Sequence, residues 1–110
     1  MFDRYVIAAL ATSLLLSAPL MAAPDETAAL ALLKQSKCMS CHSVDKKKDG
    51  PAYKEVALKY RHDAEAEAKL IKHMTEPSKI KIDGEEEEHG IVKTRDMGKI
   101  KNLVAFILSR

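Results

Sequence analysis

Lys37–Ser43 reads "KCMSCHS": it holds both cysteines of the chain and a histidine directly after the second. Three chemistries use a CxxC pair. Structural zinc normally takes four ligands, and no second Cys or His pair stands at suitable spacing. A dithiol redox pair belongs to a strand-to-helix junction in a βαβ unit, whereas the flanks here read as helical. Covalent haem attachment uses all three residues: Cys38 and Cys41 add to the two vinyl groups, and His42 reaches the iron from the same side. With no third cysteine in the chain, no other thiol can misoxidise with this pair in an oxidising compartment. The pentad Cys38–His42 is therefore expected to carry one covalently attached haem c.

The rest of the chain has to be exported and has to enclose that group. Residues 1–23, "MFDRYVIAALATSLLLSAPLMAA", combine Arg4 near the start, an apolar run from Val6 to Leu16, and small residues at Ala22 and Ala23. That pattern is a secretory signal peptide, and the reading implies a periplasmic protein with no stable membrane insertion after cleavage. A membrane anchor is the alternative, but Pro19 breaks the uncharged stretch, which is barely long enough to span a bilayer. Residues 24–110 then form one domain of roughly 87 residues, a size at which a core alone gives marginal stability. A buried macrocycle would supply the missing apolar body, in keeping with the absence of Trp. The net charge of +2 neither demands nor excludes an anionic partner. Its basic residues are not interleaved with aromatics, which argues against nucleic acid.

Helical signals surround the motif. Asp25–Lys37 begins acidic and ends basic, as the helix dipole favours, with Leu30 and Leu33 among its apolar positions. After a lysine-rich loop (Lys46, Lys47, Lys48) and a break at Gly50–Pro51, Tyr53, Val56, Ala57 and Tyr60 share a helical face. Asp63–Met74 reads as a third helix with Asp63 as its cap, ending before Pro77. Thr94 is the expected N-cap of a last helix presenting Ile100, Leu103, Val104 and Ile107 at helical spacing. The expectation is an all-α single domain of about four helices around one haem, with no confident strand.

With "CMSCH", "GPAYKEVALKY", "AEAEAKL" and a terminal "NLVAFILSR", the chain resembles the short bacterial class I c-type cytochromes of the c-551/c8 type, over essentially all of residues 24–110. The resemblance implies the cytochrome c fold, with the first and last helices crossing near the haem edge and Leu33 and Phe106 in the contact. It implies that the Pro51 carbonyl accepts the proton on the free ring nitrogen of His42, fixing the ligating tautomer. It also puts His73 where the family often has a cation near a haem propionate.

The sequence departs from that family at the sixth iron ligand, usually a methionine followed by proline. No Met-Pro pair occurs. His62, His73, Met74, His89 and Met97 are the candidates. Counting back along the last helix, as the resemblance suggests, places the usual ligand position on His89. Met97 falls in the first turn of that helix, where core packing is expected; Met74 matches an aliphatic core position; His62 lies in a polar turn. His89 is the expected ligand, with Met97, Met74 and an open site as alternatives. An imidazole in place of a thioether lowers the potential, and Glu85–Glu88 add negative charge beside it.

The function these readings favour is electron carriage by Fe(III)/Fe(II) cycling, without catalysis, by a monomer serving a periplasmic dehydrogenase or reductase. Two other functions remain: a haem protein whose distal site opens to nitric oxide or oxygen, and a haem subunit docked on an oxidoreductase through "DKKK" or "EEEE".

Overall fold

The computed structural model describes residues 23–110 together with Ser13. Apart from Ser13 and Ala23, the expected signal peptide at 1–23 lies outside the described residues. Four helices form: α1 (Glu26–Gln35), α2 (Tyr53–Tyr60), α3 (Ala66–Thr75) and α4 (Met97–Leu108). Between α3 and α4 stands a two-stranded antiparallel hairpin, β1 (Ser78–Ile82) and β2 (Glu85–His89).

Helix α1 starts where expected, with the Asp25 carboxylate accepting from the Ala28 N–H at 3.0 Å and Glu26 in the first turn. Both features satisfy and complement the exposed N–H groups of a helix start. Its buried side is Ala29, Leu32 and Leu33, whereas Leu30 is 46% exposed and faces solvent. Helix α4 buries Ile100, Leu103, Val104, Phe106 and Ile107. The two helices share one core with Tyr53, Leu70 and Val92, in which Leu33 and Phe106 are both buried. Their packing is pinned by a reciprocal pair: the Asp25 N–H donates to Asn102 Oδ1 at 2.8 Å, and Asn102 Nδ2 donates to the Asp25 carbonyl at 2.9 Å. Arg110 closes the far end of α4 onto Glu26 at 2.7 Å.

Two caps differ from expectation. Asp96, not Thr94, caps α4, accepting from the Lys99 N–H at 3.2 Å, while Thr94 Oγ1, two residues earlier, accepts from the Asp96 N–H. Asp63 does not cap α3, which starts at Ala66 after Glu65. Its carboxylate instead takes the Glu65 N–H at 2.8 Å and Lys69 Nζ at 2.6 Å, so it orders the turn before the helix.

The hairpin is the element not anticipated. Asp83 (φ 52°) and Gly84 (φ 82°) form its two-residue loop, both with positive φ, the backbone that matches the twist of paired strands. The register sets Ser78 opposite His89, Lys79 opposite Glu88 and Lys81 opposite Glu86. The run of glutamates is thus a strand facing a lysine-bearing strand, and cross-strand opposite charges stabilise such a pair.

Candidate haem site

A left-handed residue delivers the cysteine motif. Helix α1 ends at Gln35, and Lys37 turns left-handed (φ 58°, ψ 26°), leading into a single 310 turn over Cys38–Ser40. The Cys38 carbonyl accepts from both Cys41 N (3.3 Å) and His42 N (3.0 Å), so the turn folds the two thiols and the imidazole together. Burial pushes the Cys38 thiol above its usual pKa, Cys41 adding to the rise and a backbone hydrogen bond opposing it. A thiol held neutral beside an apolar core suits conversion to an uncharged thioether.

The following loop is stitched back onto the motif. Gly50 N donates to the Cys41 carbonyl at 2.7 Å, Tyr53 N to Ser43 O at 2.9 Å, and Lys54 N to Val44 O at 3.0 Å. This brings the Pro51 carbonyl to 2.8 Å from His42 Nδ1. A carbonyl can only accept, so the arrangement calls for the Nδ1–H tautomer and leaves Nε2 with its lone pair free for a metal. Tyr53 stacks on the His42 ring at 5.1 Å with planes 18° apart. It is buried, and burial first, then the nearby Cys38, pushes its hydroxyl pKa up.

Gly50 is a functional residue that sequence reasoning took only for a chain break. A Cβ there would lie 2.5 Å from Cε1, 2.8 Å from Nδ1 and 2.9 Å from Nε2 of His42. The imidazole rests directly on the glycine backbone. A glycine before proline carries no sign in sequence that a ring lies on it.

On the opposite side stands His89, the last residue of β2, with its ring centre 6.2 Å from that of His42 and the planes inclined at 68°. Two metal–imidazole bonds of about 2 Å, each with roughly 1.1 Å from nitrogen to ring centre, require a separation of about 6.2 Å. His89 Nδ1 is buried without a hydrogen-bond partner. Burial lowers the pKa of His89, and His73 and His42 lower it further against a contribution from the Gly90 backbone, so the neutral, ligating form is favoured. The 6.2 Å between the His42 and His89 ring centres, with Cys38 and Cys41 in the turn that leads into His42, is compatible with a haem held between the two imidazoles.

The other candidates stand elsewhere or in other roles. His73, in the last turn of α3, sets its ring 4.0 Å from that of His89. Burial, then His42 and Lys59, lowers its pKa. Met74 is half-buried and packs against the core, and His62 is exposed. Met97, expected to pack inward, is instead the first residue of α4 and 46% exposed, because the cap at Asp96 starts the helix later than Thr94 would. Among the described residues, no group of three or more His, Cys, Asp or Glu side chains could hold a metal ion by itself.

A family model described as Cytochrome c matches residues 27–110. The chain belongs to the cytochrome c family. It is a small class I c-type cytochrome, with one covalently attached haem c. Cytochrome c-551 of Allochromatium vinosum is 51% identical over 49 residues, a stretch covering 44% of this chain and 52% of that protein. Cytochrome c-551 of Pseudomonas aeruginosa is 46% identical over 43 residues, covering 39% and 41%. The chain thus spans about half the length of the curated relatives it matches. Among solved structures, the class 1 cytochrome MtoD from Sideroxydans lithotrophicus ES-1 is similar with a TM-score of 0.75 and 53% identity, covering 79% of this chain and 97% of that one. Nitrosomonas europaea cytochrome c552 is similar with a TM-score of 0.58 and 26% identity, covering 73% and 96%. This cytochrome has no helix, among its described residues, long and apolar enough to cross a membrane.

Proposed function

We propose that this cytochrome is a periplasmic electron carrier whose haem is bonded to Cys38 and Cys41 and held axially by His42 and His89. The observation that carries the reading is the 6.2 Å between the two imidazole centres, the spacing two axial bonds need. When bound, the haem supplies one-electron Fe(III)/Fe(II) chemistry. The chain's own residues do the rest. Pro51 fixes the His42 tautomer through the 2.8 Å contact, and Gly50 and Tyr53 hold its ring. With His42 and His89 both donating a ring nitrogen, the haem would keep the same ligands in both oxidation states, so little reorganisation would oppose electron transfer.

Two imidazoles favour the ferric state more than an imidazole and a thioether do, which lowers the potential. Glu85–Glu88 contribute less than their number suggests. Lys79 Nζ lies 3.8 Å from Glu86, and Lys81 sits opposite that same residue in the register, while solvent and salt screen the remainder. Lys46, Lys47 and Lys48 are exposed in the loop after His42, and Lys48 Nζ donates to the Met39 carbonyl between the two cysteines at 2.8 Å. This basic edge suits an acidic redox partner, a dehydrogenase or reductase, approached by salt-sensitive steering. The segment 1–23 is the export signal in this reading, and the mature domain is a monomer.

Near-infrared magnetic circular dichroism of the ferric protein tests the ligand set. The expected result is a low-spin iron with the charge-transfer band of two imidazoles and no sulfur-to-iron band. A sulfur band would return the ligand to Met74 or Met97. A high-spin spectrum would establish an open distal site and favour small-ligand binding.

A further inference from the structure

The distal side holds two imidazoles, and only one can occupy the sixth position. We propose that His73 is a reserve distal ligand, which takes the iron when His89 leaves it. The inference rests on the His42–His89 reading above.

The two rings come from different elements. His73 is on the last turn of α3, and His89 ends β2. They are brought together by a backbone clamp: the Val92 N–H, three residues past His89, donates to the Met74 carbonyl, one residue past His73, at 2.9 Å. The clamp uses neither imidazole, so it keeps His73 in place when the His89 ring is absent. The ring centres are 4.0 Å apart, so His73 has to travel only that far to fill the space His89 occupies. Nothing ties it down: among the described residues no hydrogen bond holds the His73 ring, and the residue is exposed. A change of side-chain rotamer in the last turn of a helix supplies a movement of this size. A tethered imidazole at high effective concentration then outcompetes water for the iron. His89 holds the position in the intact protein because its ring centre, at 6.2 Å from that of His42, already has the spacing that two metal–imidazole bonds need.

Three variants of the haem-loaded protein test this: His73→Ala, His89→Ala and the double variant, each read by ferric electron paramagnetic resonance and near-infrared magnetic circular dichroism. His73→Ala is expected to retain the low-spin two-imidazole spectrum of the parent. His89→Ala is expected to remain low-spin with two imidazoles, at a changed rhombicity because the new ring adopts another orientation. The double variant is expected to lose the low-spin signal. Added imidazole should restore it there, showing that the distal side is still folded. The proposal is overturned if His89→Ala is as high-spin as the double variant, or if the double variant stays low-spin without additive. Should His73→Ala alone become high-spin, His73 is the resident ligand, and both this proposal and the assignment of His89 fall. A parent protein with a sulfur-to-iron band removes the underlying reading independently of the variants.

Discussion

Gly50→Ala probes the proximal side most directly, because the added methyl meets a single, identified obstacle. Its Cβ would lie 2.5 Å from Cε1 of His42, where ordinary contact begins at 3.4 Å, so the ring or the loop has to give by 0.9 Å. The loop resists, since Gly50 N is bonded to the Cys41 carbonyl at 2.7 Å and Gly50 O to Lys48 N at 3.1 Å. The ring resists as well. A shift of that size directed away from Pro51 would stretch the 2.8 Å contact with its carbonyl beyond hydrogen-bond range. Overpacking of this kind costs about 1–3 kcal/mol, and a lost hydrogen bond adds about 1 kcal/mol. The expected destabilisation is therefore roughly 2–4 kcal/mol, or a fall in Tm of at least about 8 °C for a domain of this size. Differential scanning calorimetry of the haem-loaded protein, with voltammetry alongside, measures both the stability and any change in potential from a displaced axial ring. Gly90→Ala is the control, because nothing lies within 4 Å of its Cβ and its φ is not positive. If Gly50→Ala matches Gly90→Ala in both Tm and potential, the glycine is not what seats the His42 ring.

Cys38→Ala or Cys41→Ala should greatly reduce mature holoprotein, measured as covalently bound haem per polypeptide after denaturation; an undiminished yield from the double variant would refute attachment through these thiols. Met97→Ala should leave the ferric spectrum unchanged and cost less than about 1 kcal/mol in thermal melts, since the side chain is 46% exposed. Gly84→Val places a β-branched residue at φ 82°, a strain of about 1–2 kcal/mol or more. If that strain loosens the strand carrying His89, exogenous imidazole should displace the distal ligand about 5–30 times more readily, and an unaltered titration would show that the hairpin does not hold the ligand.

The helices were legible because their signals are local. The apolar spacing of Ile100, Leu103, Val104 and Ile107 reports a buried face without reference to any other element, and all four are buried. Where two local signals competed, the finer detail was lost: Thr94 and Asp96 are both good caps two residues apart, and the choice between them moved Met97 from the core to the surface. The pentad was legible for the same reason, being confined to five residues. The seat of His42 was not, because the closeness of Gly50 to the ring is a tertiary distance. The hairpin was hidden by composition, since four consecutive glutamates read as a solvated loop. Its actual signals were Asp83–Gly84 and the alternation in "SKIKI". What stabilises it, lysine opposite glutamate across the strands, appears only once the two segments are paired.

That hairpin also positions the proposed distal ligand. His89 is paired with Ser78 at the open end of the ladder, so its direction is set by strand register. Side chains alternate across a strand, and a slip of one residue would turn Glu88 or Gly90 toward His42 in its place. The register is in turn set by the two-residue loop that joins Ile82 to its partner Glu85, in which Asp83 and Gly84 both take positive φ. In a chain with no Met-Pro pair, the turn at Asp83–Gly84 thus does the positioning that presents the imidazole proposed as the sixth ligand, five residues away along the strand. The Met74–Val92 bond at 2.9 Å closes the same segment onto α3. The distal imidazole is therefore held from both ends, by a turn whose backbone few residues tolerate and by a clamp that involves no side chain.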